Sequence, residues 1–79
     1  MQPPNLQPDP EILKELFTFK MPFGKYKDRY IYLLPVEYLE WFEGKGFPAG
    51  KLGMLLSTMF EIKTNGLEHL LLPFKKKNK

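Results

Sequence analysis

The chain has no cysteine, a single histidine and only two aspartates among its 79 residues. Without thiols there is no disulfide framework and no zinc site of the usual Cys or Cys/His sets, so the staples that hold many small secreted domains are excluded. His69 stands alone, with no acidic cluster at metal-ligand spacing near it, and reads as a surface or partly buried side chain. Asp9, Asp28 and the seven glutamates show no arrangement suited to a two-metal carboxylate centre. Ser57 lies in an apolar helical pattern without the strand-turn-helix surroundings of a nucleophile elbow. These absences lead to the expectation of a non-catalytic protein with no cofactor and no metal. Long apolar runs are also missing: Leu70 to Phe74 falls far short of the ~20 residues that span a bilayer. Met1 to Pro10 has neither the basic start nor the apolar stretch of a secretory signal, so the cytoplasm is the expected address.

What the chain does have is aromatic side chains. Seven Phe, four Tyr and Trp41 can each bury roughly 150–250 Å², which matters in a domain too small to hide more than roughly 60% of its unfolded surface. Trp41 is expected to anchor the core, and its truncation to Ala to cost about 3–5 kcal/mol. The formal charge of +3 depends on Lys75, Lys76, Lys77 and Lys79; without those four the rest carries −1. A charge run of this kind is ordinarily a solvated tail, so the basic balance does not by itself point to a polyanion partner.

Residues 1–8 read as a flexible leader, 9–74 as one globular domain and 75–79 as a disordered basic tail. Asp9-Pro10-Glu11 is a helix start, with a capping carboxylate, a proline in the first turn and an acid at the positive dipole end. Ile12, Leu13, Leu16 and Phe17 then share one face, giving a helix over about Pro10 to Phe17. Alternation at Phe19, Met21 and Phe23, and again through Arg29 to Leu33, predicts a small antiparallel hairpin around the Gly24–Asp28 loop, with Pro22 at an edge. Further helices are expected over about Pro35 to Glu43 and Gly50 to Thr64, and Leu67 to Leu72 as one more turn stopped by Pro73. The predicted fold class is α+β, helix dominant, with three to four helices and a small β-hairpin. The alternative is a nearly all-α chain whose hairpin is an extended loop packed by Phe19, Phe23 and Ile31.

Three stretches are distinctive in order: Met21-Pro-Phe-Gly-Lys-Tyr-Lys-Asp-Arg, Leu34-Pro-Val-Glu-Tyr-Leu-Glu-Trp-Phe and Gly46-Phe-Pro-Ala-Gly-Lys-Leu-Gly. Together they resemble a small bacterial domain family described as "putative quorum-sensing-regulated virulence factor", with a pattern of approximately MPFGKYKG, LPxxYLxW and GFPxGKLG. The resemblance runs from about Phe19 to Leu72. Asp28 departs from it, standing where the family usually has Gly, at a position where a left-handed turn residue is needed and Asp is better tolerated than most. The FGK start and YLxW pattern are also similar to a small module that follows the nuclease domain in some DnaQ-like exonucleases. That resemblance implies nucleic-acid handling but brings no nuclease carboxylates with it.

Two candidate surfaces follow. Lys25, Lys27 and Arg29 lie around a Gly-containing turn with Tyr26 and Tyr30 interleaved, a pattern in which cations meet phosphate while a ring stacks on a base. Alternation leaves the facing of both tyrosines open, and a solvated turn with inward rings fits as well. Gly50-Lys51-Leu52-Gly53 matches the four-residue clamp of KH domains and adds Lys51 to this set, although glycines there equally permit close helix packing. The expected function is a small binding module contacting nucleic acid through Lys25, Tyr26, Lys27, Arg29 and Lys51. The alternative is a protein-interaction or regulatory module, linked to virulence or quorum-sensing regulation, that presents Glu37, Tyr38, Glu40, Trp41 and Glu43 to a basic protein partner.

Overall fold

The structure is a computed structural model that describes residues 9–77; the leader expected over 1–8 and the last two residues of the expected tail lie outside it. Helix α1, Pro10–Glu15, begins as its sequence dictates: the Asp9 carboxylate accepts the Glu11 amide at 2.9 Å, and Pro10 occupies the first turn, where no amide is required. The backbone continues through a turn to Phe19, delivering Leu13, Leu16 and Phe17 to the core.

The predicted β-hairpin is not formed, and the described residues contain helices and turns but no strand. What remains of the hairpin is one antiparallel bridge between Lys20 and Tyr30, closed by Met21 N–H to Arg29 O at 2.8 Å and Ile31 N–H to Phe19 O at 3.1 Å. The physical reason is visible on both sides of the bridge. Pro22 has no amide with which to extend the ladder. On the other side the chain winds at once into a 3₁₀ turn, Ile31–Leu33, where Leu33 and Leu34 donate backward to Tyr30 and Ile31 and the Tyr32 amide is taken by Leu16 O at 3.0 Å. Of the alternating residues Met21 and Ile31 instead serve the core, fully buried, as is Leu34 just after them. Phe23, expected to pack the loop, stands 47% exposed.

Helix α2, Val36–Lys45, starts after Pro35 and is turned off by Gly46; helix α3, Gly50–Thr64, is the longest element and packs along α2. The 3.6-residue period fixes which side chains meet: Leu39 and Phe42 from α2 face Leu55, Leu56, Met59 and Ile62 from α3. Gly53 lets the α2–α3 connection close onto the first turns of α3, because a Cβ there would lie 1.6 Å from the Pro48 carbonyl oxygen. A second 3₁₀ turn, Glu68–Leu71, places Leu71 in the core and leads into α4, Leu72–Lys77. Pro73 was expected to stop this segment but instead lies in the first turn of α4, where proline costs no hydrogen bond. Among the described residues no charged or polar side chain is buried.

Candidate functional site

The Gly24–Arg29 loop is shaped by backbone hydrogen bonds from Lys27 N–H to Gly24 O, Asp28 N–H to Met21 O and Arg29 N–H to Tyr26 O. Two residues hold positive φ, Gly24 at 82° and Asp28 at 72°, so Asp28 adopts the left-handed conformation that its position calls for. Gly24 has a second constraint. The Tyr38 hydroxyl sits 3.1 Å from where its Cβ would be, so the loop rests directly on α2.

This contact unites the two surfaces that the sequence presented as alternatives. Tyr26 and Tyr38 have ring centroids 4.6 Å apart, Tyr38 and Trp41 are parallel within 2° at 6.2 Å, and Phe42 meets both Tyr38 and Trp41 edge-on at 5.1 Å. Phe42 continues to Phe47, and Phe47 to Phe60 of α3. All three distinctive stretches therefore contribute rings to one continuous aromatic series, buried at Phe42 and open at its outer end. There Phe23, Gly24, Lys25, Tyr38, Trp41 and Phe42 line a groove of about 490 Å³.

Trp41, expected in the core, is 53% exposed. The reason is angular: Leu39 and Phe42 take the α3-facing positions of α2, and at about 100° per residue Trp41 is turned toward solvent, joining Tyr38 and Lys45 in one strip. Its indole makes the T-shaped contact with Phe42 and carries the Lys45 ammonium 5.4 Å from its centre. Glu37, Glu40 and Glu43 are exposed on the remaining outer surface of the helix: Glu40 and Glu43 are turned away from the aromatic strip, whereas Glu37, four residues before Trp41, borders it.

Tyr26 is half-buried, with the Lys25 ammonium and Arg29 guanidinium over its ring at 5.6 and 5.8 Å. Tyr30 lies away from the groove, beside Tyr32 and under Lys20. Burial, and secondarily the neighbouring Tyr26, raise the Tyr38 phenol above its ordinary value, so it is neutral at neutral pH. Among the described residues no ion pair involves Lys25, Lys27, Arg29 or Lys45. Lys51 is placed differently: it bonds Glu15 at 2.8 Å across α1 and α3, and Gly53, its neighbour in the KH-like pattern, is buried under the Pro48 carbonyl. Phe23 and Lys45 escaped the sequence reading, though the four-residue step from Trp41 to Lys45 is a helical-neighbour signal that would have found the second. Elsewhere, Tyr32, Met59, Lys63, Glu68, His69, Leu71 and Leu72 line a cleft of about 290 Å³ crossed by a 3.4 Å Lys63–Glu68 pair. No group of three His, Cys, Asp or Glu placed to hold a metal occurs among the described residues, and no helix there is long and apolar enough to cross a membrane.

A short helical domain with a basic, ring-lined groove is thus the class that fold and site define. Residues 9–74 match the family model described as "Putative quorum-sensing-regulated virulence factor". Two relatives, each named "Uncharacterized protein YpeB" and found in Escherichia coli strain K12 and in Escherichia coli O157:H7, are 52% identical over 67 residues, covering 84% of this chain and 93% of each relative. The chain belongs to this family. No solved structure matches it.

Proposed function

We propose that the protein is a non-catalytic binding module that engages nucleic acid at the groove between the Phe23–Arg29 loop and α2. The observation that carries this reading is an exposed apolar groove walled by aromatic rings and lined by Lys25, with Lys45 over the Trp41 ring, Arg29 over Tyr26 and Lys27 in the same loop, four cations that have no ion-pair partner among the described residues. Cations beside open rings suit a ligand that alternates negative charge with flat apolar faces. Lys51 is given no part, because a phosphate there would compete with Glu15. The exposed Trp41 would also suit a protein partner, but the Lys45 ammonium over it does not favour a basic one, and Glu40 and Glu43 are turned to the other side of α2.

The test is fluorescence anisotropy of labelled short DNA and RNA at low salt. Lys25→Glu with Lys27→Glu should abolish binding while leaving the helical circular-dichroism spectrum unchanged, and each cation removed should reduce the slope of log affinity against log salt by about 0.7–0.9. Replacing Lys75, Lys76, Lys77 and Lys79 by Gln should weaken binding only modestly. Loss of binding in the tail variant alone would overturn the reading and assign any affinity to the lysine run; absence of binding to every oligonucleotide would leave the groove to a protein partner.

A further inference from the structure

We infer that the groove is built for a single strand, with an unpaired base stacked on Trp41 and the flanking phosphates held by Lys45 and the Lys25–Arg29 loop. The inference rests on the nucleic-acid reading above and adds to it the form of nucleic acid and the ring that receives it. Three observations point the same way.

The first is the position of the open ring faces. Trp41 and Phe23 are 53% and 47% exposed, yet both belong to a concave wall, in a volume within the roughly 300–1,000 Å³ of small-ligand sites. Bases in a duplex are stacked on one another and cannot bring a face to such a wall, whereas an unpaired base can be turned out into it. The second is which rings remain available. Tyr26 and Tyr38 are half-buried against each other, whereas Trp41, although it also meets Tyr38, Phe42 and the Lys45 ammonium, and Phe23 each keep about half of their surface exposed, so stacking falls to the indole and to Phe23.

The third is the division of charge around α2. Lys25 lines the groove and Lys45 lies over Trp41, while Glu40 and Glu43 are exposed on the far outer surface of the same helix. A duplex laid on α2 would bring its second row of phosphates toward those carboxylates, where like charge is repelled. A single backbone can follow the cationic edge alone. Four cations are also few, so base stacking has to supply a substantial share of the affinity, and an oligomer with bases should be distinguishable from one without them.

Trp41 is the only tryptophan in the chain, so its fluorescence reports the site directly. The experiment titrates the full chain with three probes of about 12 nucleotides, a length within known single-strand site sizes: oligothymidylate, a duplex, and an abasic deoxyribose-phosphate strand. Oligothymidylate should quench Trp41 and bind about 5- to 150-fold more tightly than the abasic strand, the range expected for one stacked base. It should also bind more tightly than the duplex. Its affinity should fall about 50-fold over a fourfold rise in salt if all four cations meet phosphate. In anisotropy measurements, Trp41→Phe should keep most of the affinity and Trp41→Ala should lose it to the abasic level, with both variants folded by circular dichroism. Equal binding of all three probes would leave the nucleic-acid reading in place and overturn this inference. Duplex preferred over oligothymidylate, or affinity indifferent to Trp41→Ala, would overturn it as well; no binding of any probe would overturn both.

Discussion

Gly53 should be the least replaceable glycine in the chain, and replacing it with Ala measures how tightly the segment between α2 and α3 is seated. A methyl group at this position is placed 1.6 Å from the Pro48 carbonyl oxygen and 2.7 Å from its carbonyl carbon. The obstacle is backbone, so no rotamer change relieves it. Phe47 to Ala49 would have to retreat until ordinary contact beyond 3.4 Å is restored, drawing Phe47 away from Phe42 and Phe60. Overpacking a fitted site costs about 1–3 kcal/mol, and a backbone obstacle puts this case at or above the upper end. Against that, Ala is favoured over Gly inside a helix by about 1 kcal/mol. The net loss is about 2 kcal/mol, which in a domain of this size lowers the melting temperature by about 8–16 °C. Gly44→Ala is the control: Gly44 is also inside a helix, with nothing within 4 Å of its added methyl, and should gain about 0.5–1 kcal/mol. Thermal and urea unfolding followed by far-ultraviolet circular dichroism would read both. If Gly53→Ala were as stable as Gly44→Ala, the close approach of Pro48 to α3 would be refuted, and with it the account of how the third motif is seated.

Asp28→Gly should raise stability by about 0.5–1 kcal/mol, seen as a melting temperature a few degrees higher, because Gly occupies the 72° backbone conformation without the strain of a Cβ; a drop would mean that the carboxylate stabilises the turn by more than its backbone conformation costs. The Tyr38 phenol is raised above its ordinary value of about 10 by burial and by Tyr26, so its contribution is fully present below that pH and is lost as pH rises through the higher folded value. Urea unfolding at pH 9 and pH 11 should therefore show a smaller alkaline loss for Tyr38→Phe than for the unaltered chain; equal losses would assign the pH dependence to other groups.

The parts legible in the sequence were those whose causes are local. Asp9 caps the helix that Pro10 opens, and the apolar spacing from Leu52 to Ile62 belongs to a helix whose observed bounds, Gly50–Thr64, are those expected. Asp28 took its left-handed conformation because that demand arises within the turn itself. Alternation over Phe19–Phe23 and Arg29–Leu33 misled, because a two-residue period marks burial on alternate sides as readily as it marks a ladder, and Pro22 and the backward hydrogen bonds of Ile31–Leu33 ended pairing after one bridge.

Tertiary structure decided the rest, since contacts between segments have no signature in the spacing of either one. Whether Trp41 or Phe42 would enter the core depended on where α3 lay against α2. Lys51 left the basic set through Glu15, thirty-six positions away. The Lys25–Arg29 loop and the Tyr38–Trp41 face read as rival surfaces when taken along the chain. They form one groove because Gly24, with no Cβ, lets the loop settle against the Tyr38 hydroxyl.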